Sequence, residues 1–512
     1  MVTQVRRLLI YIHRWLGICG CVLFVMWFAS GIVMMYVRMP ELAVTERIER
    51  LEPLVLSTVR VSIAGAAGPN AGGVRVEMLA GRPVYRIAPR GSGPDRVVYA
   101  DTGEELAPIR RDQALELARR FAPEHAATLR YVSFLTEPDQ WTLSGEARRA
   151  MPLHRISLGD PARTDLYISQ QTGDVVMKTD ADARRWAYAG AIPHWIYFTP
   201  LRRRGPLWTQ TIIWLSLAGS ALSLSGLVWG LWRVSIRSRY RLKQQYSHSP
   251  YAGLMRWHHY AGLLCGLATF TWIFSGLLSM DPWDWHPSTS PTGPQRDGVA
   301  GGRLRLDDVT VIRVETALAQ VLSRRGDIDE AGAGRGDGLA GRPLKALEIV
   351  QFCGERFLAA GSLLVSLDAP ERGAFEVFAD DAMLASGRAA MPGVAVRDAV
   401  WLKEYDAYYY DRTRTRRLPV LRVRYDDPQG TWLYLDPRRG SIALREERLS
   451  RINRWLYHGL HSLDFPVLYN RRPFWDLLVI TLSVGGLLVS ATPFVAAGHR
   501  LRRHWRRLKA IW

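Results

Sequence analysis

Apolar residues dominate four stretches of the chain, Leu8 to Val37, Leu207 to Trp232, Trp257 to Met280 and Phe474 to Gly498, and none carries a Lys, Arg, Asp or Glu at its centre. Roughly 20 helical residues cross a hydrocarbon layer of about 30 Å, so each stretch predicts a transmembrane helix. The first is longer than the roughly 7 to 15 apolar residues of a secretory signal, and no small-x-small cleavage site follows it, which predicts an uncleaved span.

Between the spans the pattern shortens to strand-like alternation broken by turn residues. Pro152-Leu-His-Arg-Ile-Ser-Leu158, Asp165-Leu-Tyr-Ile-Ser169 and Gln171-Thr-Gly-Asp-Val-Val176 predict a three-stranded meander, and Pro419 to Tyr425, Thr431 to Leu435 and Pro437 to Ile442 predict a second. A fainter version precedes each, at Pro83 to Ile87 and Val97 to Ala100 in the first case and Ala374 to Gly387 in the second. A helix is expected over Asp112 to Phe121, and the Gly- and Asp-rich stretch Arg325 to Arg342 reads as a flexible insertion. Each long soluble segment is thus expected to hold two small α+β units. The predicted class is an integral membrane α-helical protein with two soluble α+β segments. In order these are a span (1–37), a soluble segment (38–185), an interfacial segment (186–206), a span (207–232), a basic loop (233–256), a span (257–280), a soluble segment (281–450), an interfacial segment (451–473), a span (474–498) and a basic tail (499–512).

The chain also repeats itself. His13-Arg-Trp-Leu-Gly17 with Trp27, Ser30 and Gly31 recurs as His258-His-Tyr-Ala-Gly262 with Trp272, Ser275 and Gly276, 245 positions later. Pro152, Arg155, Tyr167, Gly173, His194, Pro206 and Trp208 recur as Pro419, Arg422, Tyr434, Gly440, His461, Pro473 and Trp475, 267 positions later. Two copies of this length describe a pseudo-dimer and not a solenoid. Two spans per copy, entered from the same side, imply parallel halves related by a pseudo-two-fold along the membrane normal.

Charge refines the topology. Of the excess behind the formal net charge of +19, much flanks spans: Arg6, Arg7 and Arg14, then Arg233 to Lys243, then Arg500 to Lys509. Basic residues in short flanking segments mark the cytoplasmic side, which places both termini there and both long segments outside. Such residues also meet anionic membrane lipid, and no nucleic-acid partner is expected. Arg202 to Arg204 and Arg471 to Arg472 lie on the opposite side, where they suit either lipid headgroups or an anionic group. Cys19, Cys21 and Cys265 lie in spans and Cys353 stands alone, so no disulfide framework or Cys-rich metal site is implied.

The symmetry brings chemistry with it. His13 and His258 fall at one depth and His194 and His461 at another, as two pairs facing across the axis. Haem iron takes axial histidines on opposite faces of a planar macrocycle, and helix bundles build such sites from facing helices. His458, three residues before His461, is an alternative external ligand, whereas His259 is out of register with His13. His499 could reach the inner site, although it and His504 read first as residues of the basic tail. Gly17 and Gly262 would let a porphyrin approach closely or simply serve helix packing; for Trp27 and Trp272, packing is the simpler role. Four histidines split between two faces do not resemble a zinc or di-iron cluster. No P-loop, dinucleotide-binding glycine fingerprint, nucleophile elbow or HExxH motif is present. The cytoplasmic parts are too small for a flavin domain, so electrons would come from a quinol or a separate cytoplasmic reductase.

The His13-to-Gly17 opening, the Arg454-Trp-Leu-Tyr-His-Gly-Leu-His-Ser-Leu-Asp-Phe-Pro466 run and the Asp436-Pro-Arg-Arg-Gly440 turn resemble the PepSY-associated transmembrane family. The resemblance implies a bacterial inner-membrane location, periplasmic PepSY-like segments and, for some members, haem-dependent reduction of ferric siderophores. Combined with the histidine pairs it yields an expectation of two haem b groups held by His13 with His258 and His194 with His461. The acceptor would be a periplasmic ferric siderophore or another external molecule. The alternative is a non-catalytic membrane protein whose PepSY-like segments bind a periplasmic partner or regulate a protease.

Overall fold

A computed structural model describes residues 2–91, 93–143, 145–237, 240–242, 245–330, 343–411 and 415–509. The chain divides into two compact units. One comprises Met1–Met39, Asp182–Pro287 and Arg451–Trp512, and the other Pro40–Ala181 and Ser288–Ser450.

The first unit is a helical bundle. Four of its helices, Val2–Met34, Gly205–Arg233, Leu254–Leu278 and Phe474–Lys509, are long and apolar enough to cross a membrane. They fall within a few residues of the hydropathy boundaries, except that the fourth runs through the expected tail as one helix. Arg, Lys and Leu are good helix formers and make up eight of the eleven residues from His499 to Lys509. The first and third spans each pack against the second and the fourth. Small residues allow this approach: a Cβ on Gly219 would lie 2.9 Å from Ile273, and one on Gly486 2.5 Å from Phe28. Positions 219 and 486 are equivalent at the second offset, and 28 and 273 at the first, so the two halves pack by one pattern. Phe24, Phe28, Leu222, Trp272, Ile273, Trp475 and Val479 fill the interior. Leu264, 84% exposed, and Leu267 face outward, as a surface solvated by lipid tails requires.

The second unit carries a six-stranded sheet and two four-stranded sheets. The strands Ala71–Leu79, Arg82–Pro89 and Arg96–Tyr99 come from the first copy, and Ala346–Phe352, Glu355–Ala360 and Leu363–Ser366 from the second. Both first hairpins turn on two residues with positive φ, Ala80-Gly81 and Cys353-Gly354, the type I′ geometry that matches strand twist. Val74 pairs antiparallel with Ile349, so the upstream parts of both copies form one sheet, which corrects the expectation of separate α+β units. Each three-stranded half would expose an edge, and pairing the two edges removes it. The counterpart of the first hairpin is therefore Ala346–Ser366 and not Ala374 to Gly387, most of which enters the helix Asp380–Ala389. That helix matches Arg111–Phe121, which forms where the sequence predicts it.

The predicted meanders are present, each with a fourth strand at its edge. Arg130–Leu135 precedes Leu153–Ser157, Asp165–Ser169 and Val175–Thr179, and Val396–Leu402 precedes Val420–Tyr425, Trp432–Asp436 and Ser441–Glu446. Neither edge strand contains a fully buried residue, and neither sequence, Arg-Tyr-Val-Ser-Phe-Leu or Val-Arg-Asp-Ala-Val-Trp-Leu, has the strict apolar alternation that signals a strand. Of the expected insertion, Arg325 to Glu330 belong to the helix Val311–Glu330, and 331–342 lie outside the described residues.

Arg86 is almost fully buried in this unit against Glu77, itself 1% exposed, and lies 2.8 Å from Asp174. Glu77 keeps a bond from Arg75 at 3.2 Å and Asp174 keeps Arg47 at 3.6 Å, so loss of Arg86 strands neither carboxylate fully and costs less than the about 3–5 kcal/mol of an uncompensated buried charge. Arg86→Ala is therefore expected to lower the thermal midpoint of the full-length protein and to speed hydrogen exchange across residues 71–89, both measurable in detergent.

Candidate functional site

Four histidines of the bundle unit form two facing pairs. His13 and His258, on the first and third spans, have ring centroids 6.1 Å apart with 40° between their planes. His194 closes the short helix Ala191–Trp195, and His461 lies in Leu460–Ser462. Their rings are also 6.1 Å apart, at 73°. All four are partly buried.

Each ring is aimed by its Nδ1. That of His13 lies 3.2 Å from the Leu222 carbonyl and 3.5 Å from Ser225 Oγ. That of His258 lies 3.0 Å from the Val489 carbonyl and 3.1 Å from Thr492 Oγ1. His194 meets the Trp27 carbonyl at 3.1 Å and Ser30 Oγ at 3.2 Å. His461 meets the Trp272 carbonyl at 3.1 Å and Ser275 Oγ at 3.1 Å. Every one of these partner pairs is equivalent across the repeat. A carbonyl only accepts, so Nδ1 carries the proton and the lone pair is on Nε2. Burial, reinforced by the neighbouring His461, pushes the His194 imidazole down to about 4, so the ring is neutral at pH 7.

The helices make room for these rings. A Cβ on Gly31 would lie 3.4 Å from His194 Cε1, one on Gly276 3.6 Å from His461 Cε1, and one on Gly226 2.6 Å from His13 Cε1. The second pair is fixed further from behind: Trp208 Nε1 donates to the Trp195 carbonyl and Trp475 Nε1 to the Ser462 carbonyl, each at 3.0 Å. Ile196 and Leu463, both left-handed, then end the two short helices. Along the first span, 14 residues separate His13 from Trp27, whose carbonyl holds His194, which sets the pairs about 21 Å apart at 1.5 Å per residue.

The other candidates lie elsewhere. His458 is exposed, its ring 4.5 Å from that of Tyr457, and His461 is the residue that faces His194. His259 is buried with both ring nitrogens engaged, by Ser249 Oγ at 2.8 Å and the Gly230 carbonyl at 2.9 Å. The side chains of His499 and His504 lie outside the described residues. A Cβ on Gly262 would meet open space, whereas Gly17 packs on Leu222. Arg202 stacks over Tyr197 and Trp208, and Arg472 bonds Asp476. Trp272 is in the aromatic core with its buried indole N–H unpartnered among the described residues. The sequence reading noted the recurrence of Ser30 and Gly31 without a role for it. It missed Ser225, Thr492, Gly226 and Pro493, for which equivalence at the second offset is the available signal.

A metal–imidazole nitrogen bond of about 2.0 Å, plus roughly 1 Å from nitrogen to ring centre, puts two trans rings about 6 Å apart. Both pairs have that spacing. Among the described residues no group of three or more His, Cys, Asp or Glu gathers where a metal ion could be held. Two imidazoles facing each other at this spacing are what a metal group with its own equatorial donors would ask of the protein. No protein-family model and no curated protein matches the chain.

Trp208→Phe and Trp475→Phe each remove the donor to a carbonyl, which is exposed in the first case and partly buried in the second, at a cost of about 0.5–1.5 kcal/mol. Hydrogen exchange should quicken over 190–198 in the first variant and over 457–465 in the second, with the opposite copy unchanged.

Proposed function

We propose that the protein is a multi-pass inner-membrane electron-transfer protein that holds two haem b groups, one between His13 and His258 and one between His194 and His461. On this reading it reduces an external acceptor. The observation that carries the proposal is the ring spacing, 6.1 Å in both pairs, joined to an Nδ1–carbonyl bond at every ring that puts the imidazole lone pair on Nε2.

When bound, haem supplies one-electron chemistry between ferric and ferrous iron, its potential tuned by axial ligands and burial. The protein's part is to present neutral imidazoles, to hold the ring planes through helix carbonyls, and to keep water from the bundle with Phe24, Phe28 and Trp272. The basic flanks put both termini and the His13–His258 pair on the cytoplasmic side. Electrons would enter there from a quinol or a cytoplasmic reductase and leave at the His194–His461 pair. The resemblance to the PepSY-associated transmembrane family supplies the acceptor, a periplasmic ferric siderophore. Ferrous iron, with its lower charge, is held less tightly by hard oxygen donors, so one electron releases the metal.

Full-length protein purified from haem-replete cells should show a Soret band, sharp α and β bands on dithionite reduction, and two haems per chain by pyridine haemochrome. His13→Ala, His258→Ala and their double variant should each retain one haem, as should His194→Ala and His461→Ala, while His458→Ala retains two. Absence of these bands from the wild type would end the proposal.

A further inference from the structure

Positions 226 and 493 are equivalent in the two copies and hold Gly and Pro. In an α-helix the N–H of residue i bonds the carbonyl of residue i−4, so these positions govern the Leu222 and Val489 carbonyls, the acceptors for His13 and His258. In the second span the helical N–H of Gly226 serves the Leu222 carbonyl, which also accepts Ser225 Oγ at 2.8 Å and His13 Nδ1 at 3.2 Å. In the fourth span Pro493 sits inside the helix and has no N–H to give. The Val489 carbonyl is left to His258 Nδ1 at 3.0 Å and to Thr492 Oγ1 at 3.3 Å, and that hydroxyl is closer to the Leu488 carbonyl, at 2.8 Å. The first copy admits its histidine by deleting a Cβ, the second by deleting a backbone donor.

Resting on the two-haem reading, we propose that Pro493 is a positioning residue that reserves the Val489 carbonyl for His258, making His258 the stronger axial donor of its pair. A firmer bond from Nδ1–H to a carbonyl fixes the ring and raises the basicity of the metal-bound nitrogen. Greater donation stabilises ferric over ferrous iron. Pro493 therefore lowers the midpoint potential at the His13–His258 pair relative to a chain with an N–H at this position, and leaves the His194–His461 pair untouched.

The test is a spectroelectrochemical titration of full-length Pro493→Ala, with Pro493→Gly as a second variant that also restores the N–H. The component absent from His13→Ala should move to higher potential, the component absent from His194→Ala should stay, and both haems should be retained. An unmoved first component overturns the assignment. The hydrogen bond is also read without haem: in ¹⁵N-histidine-labelled protein in bilayers, the protonated Nδ1 resonance that vanishes in His258→Ala should shift to higher field in Pro493→Ala. If that resonance does not move, Pro493 has no such role, whether or not haem is bound. A wild type without a Soret band ends the haem reading alone, and the nitrogen shift then decides the role of Pro493.

Discussion

The bundle unit is organised around one interaction, a hydrogen bond from a histidine Nδ1 to a main-chain carbonyl of a span helix, made four times. Helix carbonyls are ordinarily occupied by their own N–H donors, and reaching one from the side needs space close to the helix axis. Glycine at the position four residues on provides that space for three of the rings, and proline removes the competitor for the fourth. A serine or threonine hydroxyl stands beside every acceptor, within 3.5 Å of each Nδ1. In lipid an unsatisfied polar group is costly, and this arrangement leaves no Nδ1 without an acceptor while holding the ring plane.

The direction of these bonds separates what one copy does from what two copies do. His13 reaches the second span and His194 the first; His258 reaches the fourth and His461 the third. Orientation is therefore settled within each copy, as a helical hairpin with one histidine aimed at each end. Facing pairs arise only when the hairpins meet, where Gly219 against Ile273 and Gly486 against Phe28 bring the helices together. A single ancestral hairpin would carry both rings and no pair. Dimerisation followed by fusion would create both pairs at once, which accounts for equivalent partners around all four histidines.

Much of this was legible in the sequence because spans and repeats are strong signals. Four apolar runs gave the helices to within a few residues, and constant offsets gave the histidine pairs before any geometry was known. The signal failed where structure depends on neighbours distant in the chain. The edge strands Arg130–Leu135 and Val396–Leu402 contain no fully buried residue, and their sequences, Arg-Tyr-Val-Ser-Phe-Leu and Val-Arg-Asp-Ala-Val-Trp-Leu, do not alternate apolar with polar. The pairing of Val74 with Ile349 joins strands from separate copies and has no local mark at all. The choice of His461 over His458 turns on which way a short helix faces, which a three-residue spacing leaves open. Pro493 has no mark of its own within an apolar run; its meaning needed the identity of the residue that approaches Val489.

The copies differ at the second pair in the support of the rings and not in the rings themselves. Gly190 stands where a Cβ would lie 2.9 Å from Val33, so the first copy interrupts its helix there with a backbone that only a small residue suits. The equivalent position holds Tyr457, whose ring is 5.5 Å from that of His461, and the backbone from Arg454 to Gly459 widens into a π-helical turn. Arg454, nearly fully buried, donates to the Asp464 carbonyl at 2.7 Å across this turn; the equivalents, Ala187 and Tyr197, offer no such charge. π-turns are frequent at functional sites because they redirect side chains without breaking the helix. Here the turn seats the Tyr457 ring against His461, where the first copy has Gly190. Ring spacing and carbonyl bonds match those of the His13–His258 pair, while the angle between the ring planes is 73° and not 40°, so the asymmetry acts on the surroundings of the His194–His461 pair and leaves its spacing intact. A symmetric frame with unequal surroundings lets one end of a duplicated scaffold specialise while the ring geometry that both copies share is preserved.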